Sequence, residues 1–144
     1  MKVRIKKLDE RAVIPTYGTE FSAGADVYAL LESDLDIPAG ETVFIKTGIA
    51  LEIPTGYVGL IYPRSSLSCK NDLAPANKVG VIDSDYRGEI MIALHNHGKS
   101  TRTVSSGDRI AQLVITPFIK GDFVLCDELD ETERNQGGFG STGK

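Results

Sequence analysis

Ala76-Asn-Lys-Val-Gly-Val-Ile-Asp-Ser-Asp-Tyr-Arg-Gly-Glu-Ile90 is an apolar run, a polar tip and a second apolar run. Residues 78–82 and 89–94 are rich in Val, Ile and Leu. Between them stand the turn formers Asp83, Ser84, Asp85 and Gly88. The pattern reads as a β-hairpin with two carboxylates near its bend. Turn aspartates commonly do no more than bond their own backbone, so a chemical role for Asp83 or Asp85 needs support from the rest of the chain.

Outward from this hairpin, short β-prone runs recur at residues 3–5, 27–31, 35–37, 42–53 (interrupted at Gly48), 57–62, 101–104, 110–118 and 123–129. Pro38-Ala39-Gly40 and Pro54-Thr55-Gly56 punctuate them as turns. Residues 65–71 form the one helical stretch, with Ser65 or Ser66 as its amino-terminal cap. Many short strands, 15 glycines and almost no helical periodicity predict an all-β sandwich or barrel. At 144 residues the chain reads as a single domain able to bury a core without disulfides or metal.

Charge and leader patterns narrow the function classes. The 16 Lys and Arg against 20 Asp and Glu give a net charge of −4, so no broad basic field exists to capture nucleic acid. A polyanionic ligand must instead be met by a few local cations. The amino terminus alternates charged and apolar residues, unlike a signal peptide, and no window approaches the ~18 apolar residues of a membrane span. Cys69 and Cys126 form no C-x-x-C pair and suit a reducing compartment. A soluble cytoplasmic protein is expected. His95 and His97 fall on one face of a strand, but with these cysteines they lack the spacing of a zinc site.

Two segments carry phosphate chemistry. Pro63-Arg64-Ser65-Ser66 sets a guanidinium before two hydroxyls. The tail 135–144, with four glycines and Phe139, offers unshielded amides, hydroxyls and a ring that can stack on a base. Residues 138–144 match the front of a P-loop, yet no Ser or Thr for magnesium and no helix follow Lys144, so that reading is rejected. Gly107-Asp108-Arg109 opens a strand from a turn, with Asp108 and Arg109 as a weak ion pair.

Five stretches in order are similar to the five motifs of the trimeric dUTPases: Ala23-Gly24-Ala25-Asp26, Pro63 to Ser68, Gly80 to Gly88, Gly107 to Gln112, and Gly137 to Gly143. The resemblance covers nearly the whole chain. It implies a jelly-roll-like β-barrel or sandwich, assembled as a homotrimer whose active sites are shared between subunits, with residues 1–133 as the domain and 134–144 as a mobile lid. It implies hydrolysis of dUTP to dUMP and pyrophosphate with Mg2+, which keeps uracil out of DNA and supplies dUMP for dTMP synthesis.

The same resemblance assigns roles. Asp83 would activate the attacking water. Asn77, with the backbone of Gly80, Val81 and Ile82, would meet the uracil edge, and Tyr86 would pack on the deoxyribose. Arg64, Ser65, Ser66 and Gln112 would hold phosphates. Asp26 would lie near the magnesium and act through water, the ion sitting mainly on the triphosphate. Arg134, Phe139, Gly140, Ser141 and Thr142 would close over the substrate from another subunit. Two other readings share these residues: a dCTP deaminase of the same fold, and a nucleotide-sensing protein that keeps the pocket without turnover.

Overall fold

The computed structural model describes residues 1–138. In chain order its elements are β1 (Arg4–Lys7), β2 (Thr16–Tyr17), β3 (Ala25–Tyr28), β4 (Leu35–Ile37), β5 (Thr42–Lys46), β6 (Ile49–Glu52), β7 (Tyr57–Tyr62), α1 (Ser65–Asn71), β8 (Leu73–Pro75), β9 (Gly80–Ile82), β10 (Met91–Asn96), β11 (Arg102–Val104) and β12 (Arg109–Pro117). Every pairing is antiparallel. β1 joins β6, β4 joins β11, and β10 lies between β5 and β8. The largest sheet has five strands in the order β2, β3, β12, β7, β9. The all-β expectation holds. Among the described residues these sheets stay open rather than closing into a barrel, and they meet over one apolar core.

Alternation explains which side chains fill that core. In β10, Ile92, Leu94 and Asn96 are buried while Met91 and its odd-numbered neighbours face outward, as a period of two requires. Ile45, Ile49, Ile61, Ile110 and Leu113 meet them from other strands, each burial contributing roughly 1.5–3 kcal/mol. Asn96 is a polar residue at this depth, and it is fully engaged. Its Nδ2 donates to Ile37 O and Ser100 O, both at 2.8 Å, and its Oδ1 accepts from Gly98 N at 2.9 Å.

The structure corrects three expectations. The two runs of the opening stretch do not pair with each other: β9 pairs with β7, whereas β10 pairs with β5 and β8. Alternation states which residues point inward but not which strand lies alongside, so a crossover between sheets carries the same signature as a hairpin. The run 42–53 is interrupted as expected, and its two strands belong to different sheets. The break falls at Gly48, whose φ is +70°, and a Cβ there would stand 2.6 Å from Leu30 Cδ2 and 2.8 Å from Ala12 Cβ. Residues 123–129 form no strand, having no partner edge within the chain, and Phe123 and Leu125 are 99% and 98% exposed. Finally, α1 has the expected bounds, but Arg64 occupies the cap position and no side chain bonds the free amides there.

Candidate active site

Two cavities collect most of the residues singled out in the sequence, and their linings have no residue in common. The first, about 280 Å³, lies along the outer edge of β9. β9 ends its sheet, so its edge away from β7 keeps backbone N–H and C=O groups free of a strand partner. Gly80, Val81 and Ile82 line the cavity, and the alternate residues that do not bond β7 turn their donors and acceptors toward that free edge. Asn77 joins them through a tight turn: Lys78 N donates to Pro75 O at 3.0 Å, Val79 N to Asn77 O at 2.6 Å, and Lys78 holds φ +63°. The Asn77 amide lies against Gly80, 3.2 Å from where a Cβ would be.

Asp83 and Tyr86 line the same cavity. Tyr86 N donates to Asp83 O at 3.2 Å, so the expected turn forms even though the hairpin does not. The phenol donates to Glu89 O at 3.1 Å, and Arg87 Nη1 fastens the bend through Ser84 O at 2.7 Å. The Asp83 carboxylate is exposed and makes no ion pair with a described residue. Phe44, Glu89 and Met91 complete the wall and were not legible in sequence, because they arrive from β5 and the far side of the crossover.

The second cavity, about 530 Å³, gathers Asp26, Arg64, Ser65, Ser66 and Gln112. Asp26, only 14% exposed, receives Arg64 Nε at 2.6 Å and Arg109 Nη1 at 3.2 Å. Arg64 Nη1 also reaches Arg109 O at 3.2 Å, and Gln112 Nε2 donates to Pro63 O at 2.9 Å. Two guanidiniums share one carboxylate, which leaves one net positive charge beside serine hydroxyls, an arrangement suited to phosphate oxygens. A side chain at Gly24 would come within 2.5 Å of Gln112 Oε1, so glycine is needed for Gln112 to sit there.

Sequence reading missed Arg109 as a member, assigning it to Asp108. The reason is a bulge. Arg109 and Gln112, three apart, point to opposite faces of a regular strand. Here Arg109 pairs with Tyr28 and Ala111 with Val27, so the extra residue returns Gln112 to the face of Arg109, opposite Asp26. Asp108 instead accepts from Ser105 N at 2.9 Å. Arg134 lines neither cavity and bonds locally to Gly137 O at 2.8 Å. Phe139, Gly140, Ser141 and Thr142 lie outside the described residues.

Comparison with known proteins accords with this geometry. A family model described as dUTPase matches residues 10–143. A deoxyuridine 5'-triphosphate nucleotidohydrolase of Desulfitobacterium hafniense is 49% identical over 144 residues, covering 99% of this chain and 95% of the relative. One from Acinetobacter baylyi is 46% identical over 149 residues, covering 100% and 99%. Among solved structures, a variant of the Staphylococcus bacteriophage 80alpha dUTPase with dUpNHpp superposes with a TM-score of 0.91 at 27% identity, covering 99% of both chains. The dUTPase of Staphylococcus aureus phage phi11 superposes with a TM-score of 0.82 at 26% identity, covering 92% of this chain and 100% of the other. The chain belongs to the dUTPase family of deoxyuridine 5'-triphosphate nucleotidohydrolases.

Proposed function

We propose that this enzyme binds dUTP with the nucleoside in the smaller cavity and the phosphates in the larger one, and that Asp83 directs a water in line at the α-phosphorus. The new P–O bond forms as the α–β bridging bond breaks, pyrophosphate leaves, and the water's proton passes to the carboxylate. The observation that carries this reading is the convergence of Asn77, the unpaired edge of β9, Tyr86 and an unpaired Asp83 on one cavity of about 280 Å³. A carboxylate is intrinsically a weak base, so the value of Asp83 lies in holding the water in place.

Uracil has an N–H donor between two carbonyl acceptors, which suits an edge offering both N–H and C=O groups. Cytosine reverses part of that pattern and would leave groups unpaired, a mismatch worth up to about 10⁴-fold in sites that read hydrogen bonds. Tyr86, lining the cavity, packs on the deoxyribose where a 2′-hydroxyl would clash, and the pocket's shape discriminates against the thymine methyl. Arg64, Ser65, Ser66 and Gln112 hold the phosphates, while Asp26 keeps Arg64 and Arg109 together. Residues 134–144, with Arg134, Phe139, Gly140, Ser141 and Thr142, act as the lid of the 1–133 domain.

Magnesium suits this donor set in one way only. Among the described residues no group of three or more His, Cys, Asp or Glu side chains could cage a metal, and Asp26, the one carboxylate lining the larger cavity, is already shared by two arginines. Such a site would accept an ion carried on the triphosphate, toward which Asp26 would act through water. When bound, Mg2+ offsets phosphate charge and orients the α-phosphate.

The working form in this reading is a homotrimer in the cytoplasm, withdrawing dUTP from DNA synthesis and yielding dUMP for dTMP. Support for subunit association comes from the two cavities, which share no lining residue, and from an arm exposing Ile119, Phe123, Val124, Leu125 and Leu129, an apolar surface of the kind that marks a protein contact. No helix among the described residues is long and apolar enough to cross a membrane. The test is pyrophosphate release from dUTP, dCTP, dTTP and UTP, with magnesium and with chelator. Release from dUTP alone, lost on chelation, is expected. Binding of dUTP without release would make the protein a nucleotide sensor, and uracil nucleotide from dCTP would make it a deaminase.

A further inference from the structure

The turn that presents Asn77 is closed from behind by two residues outside both cavities. Lys78, at its centre, keeps a left-handed φ of +63°, a conformation that side-chain-bearing residues seldom adopt and that needs support from its surroundings. Its Nζ lies 3.4 Å from His97 Nε2. His97 follows β10 directly, and its backbone N donates to Asp72 O at 2.8 Å, which anchors it to the end of α1. The Lys78 ammonium is a donor only, so the imidazole must accept at Nε2 and be neutral for the bond to exist.

We propose that Lys78 and His97 form a latch that positions Asn77 for the nucleobase, and that protonation of His97 opens it. This rests on the reading of the smaller cavity as the nucleoside site. Around His97 stand the His95 ring edge-on at 4.4 Å, Lys78, and Asp72, whose carboxylate is occupied by Arg102 at 2.6 Å. His95 itself is held by Thr42 Oγ1 at 2.8 Å. Desolvation first, then the charges of Lys78 and His95, hold the His97 pKa below its ordinary 6.5, while Asp72 opposes them. The latch is therefore closed at neutral pH. Once the pH falls through that lowered pKa, the added proton removes the acceptor and sets two cations face to face.

The experiment is kcat and KM for dUTP between pH 5.5 and 8.5 in wild type, Lys78→Met and His97→Gln. Methionine keeps the stem but not the donor. It should raise KM about three- to ten-fold at pH 8 with kcat within about two-fold, the range expected when an exposed charged hydrogen bond is lost. Glutamine carries an acceptor that does not titrate. It should rescue KM at pH 8 and remain latched in acid, so the ratio of wild-type to His97→Gln KM should rise as pH falls, the titration of the substrate phosphates cancelling in the ratio. A wild-type KM in Lys78→Met, or a ratio flat with pH, would overturn the latch while leaving the pocket assignment standing. A wild type that neither hydrolyses dUTP nor binds dUMP would overturn both.

Discussion

At the scale of single residues, Asp83 and Asn96 show how differently two polar groups can be used. Asp83 is exposed at a cavity edge and makes no ion pair with a described residue, so its substitution should leave folding alone. Asp83→Asn keeps the shape and removes the negative charge that orients the water. Nucleotide binding should persist while kcat falls about 10²–10⁴-fold, the usual contribution of a positioned general base. Isothermal titration with dUMP alongside pyrophosphate release separates the two effects, and a near-normal rate would remove Asp83 from catalysis. Asn96 does the opposite work. Its carboxamide satisfies Ile37 O, Ser100 O and Gly98 N from a fully buried position. Asn96→Ala leaves all three unpaired and should cost about 3 kcal/mol or more in urea unfolding at fixed protein concentration, with kcat of the folded protein preserved. Arg64 was legible in the sequence from its chemistry, a guanidinium before two hydroxyls, whereas Asp83 was singled out only by the family resemblance. Arg109 was not legible, because a bulge rather than its neighbours decides which way it points.

At the scale of elements, the strand at 35–37, the strand at 57–62 and the helix at 65–71 emerge with the bounds the sequence implies, since turn residues or a proline mark their ends. Partners were harder to read than strands. β9 and β10 satisfy a hairpin's pattern and belong to different sheets, and the two residues of β2 are too few to leave a periodic trace. The cavity beside β9 depends on this crossover, because a hairpin would have spent the strand's outer edge on β10. The carboxy-terminal segment is the element whose task is least visible in its packing. Around Arg134 its bonds are local, Gly137 N to Arg134 O and Asn135 N to Thr132 Oγ1, and the chain from Phe118 to Gln136 is exposed throughout. Deleting residues 135–144 should therefore leave the melting temperature within a degree or two, while closure over the triphosphate is lost and turnover drops about a hundred-fold or more. Undiminished turnover in that truncation would end the lid assignment.

At the scale of the whole molecule, the division of the site into two cavities has a consequence that no single-chain arrangement shares. Asp83 belongs to one cavity and Arg64 to the other. If each working site takes its nucleoside pocket from one subunit and its phosphate pocket from the next, two inactive variants can repair one another. Asp83→Asn and Arg64→Gln, each purified alone, should have little activity. Arg64→Gln removes one of the two guanidiniums on Asp26 but leaves Arg109 in place, so the fold should survive. After the two are unfolded and refolded together in equal amounts, a given pocket carries an intact Asp83 with a probability of one half, and its neighbour carries an intact Arg64 with the same probability. About one quarter of the wild-type rate should return, the product expected of random assembly in a closed ring with repeated interfaces. Sites confined to single chains would each keep one lesion, and mixing would restore nothing. Sedimentation of the mixed sample checks that it has regained the wild-type assembly, so an absence of recovery in the reassembled protein counts directly against shared sites.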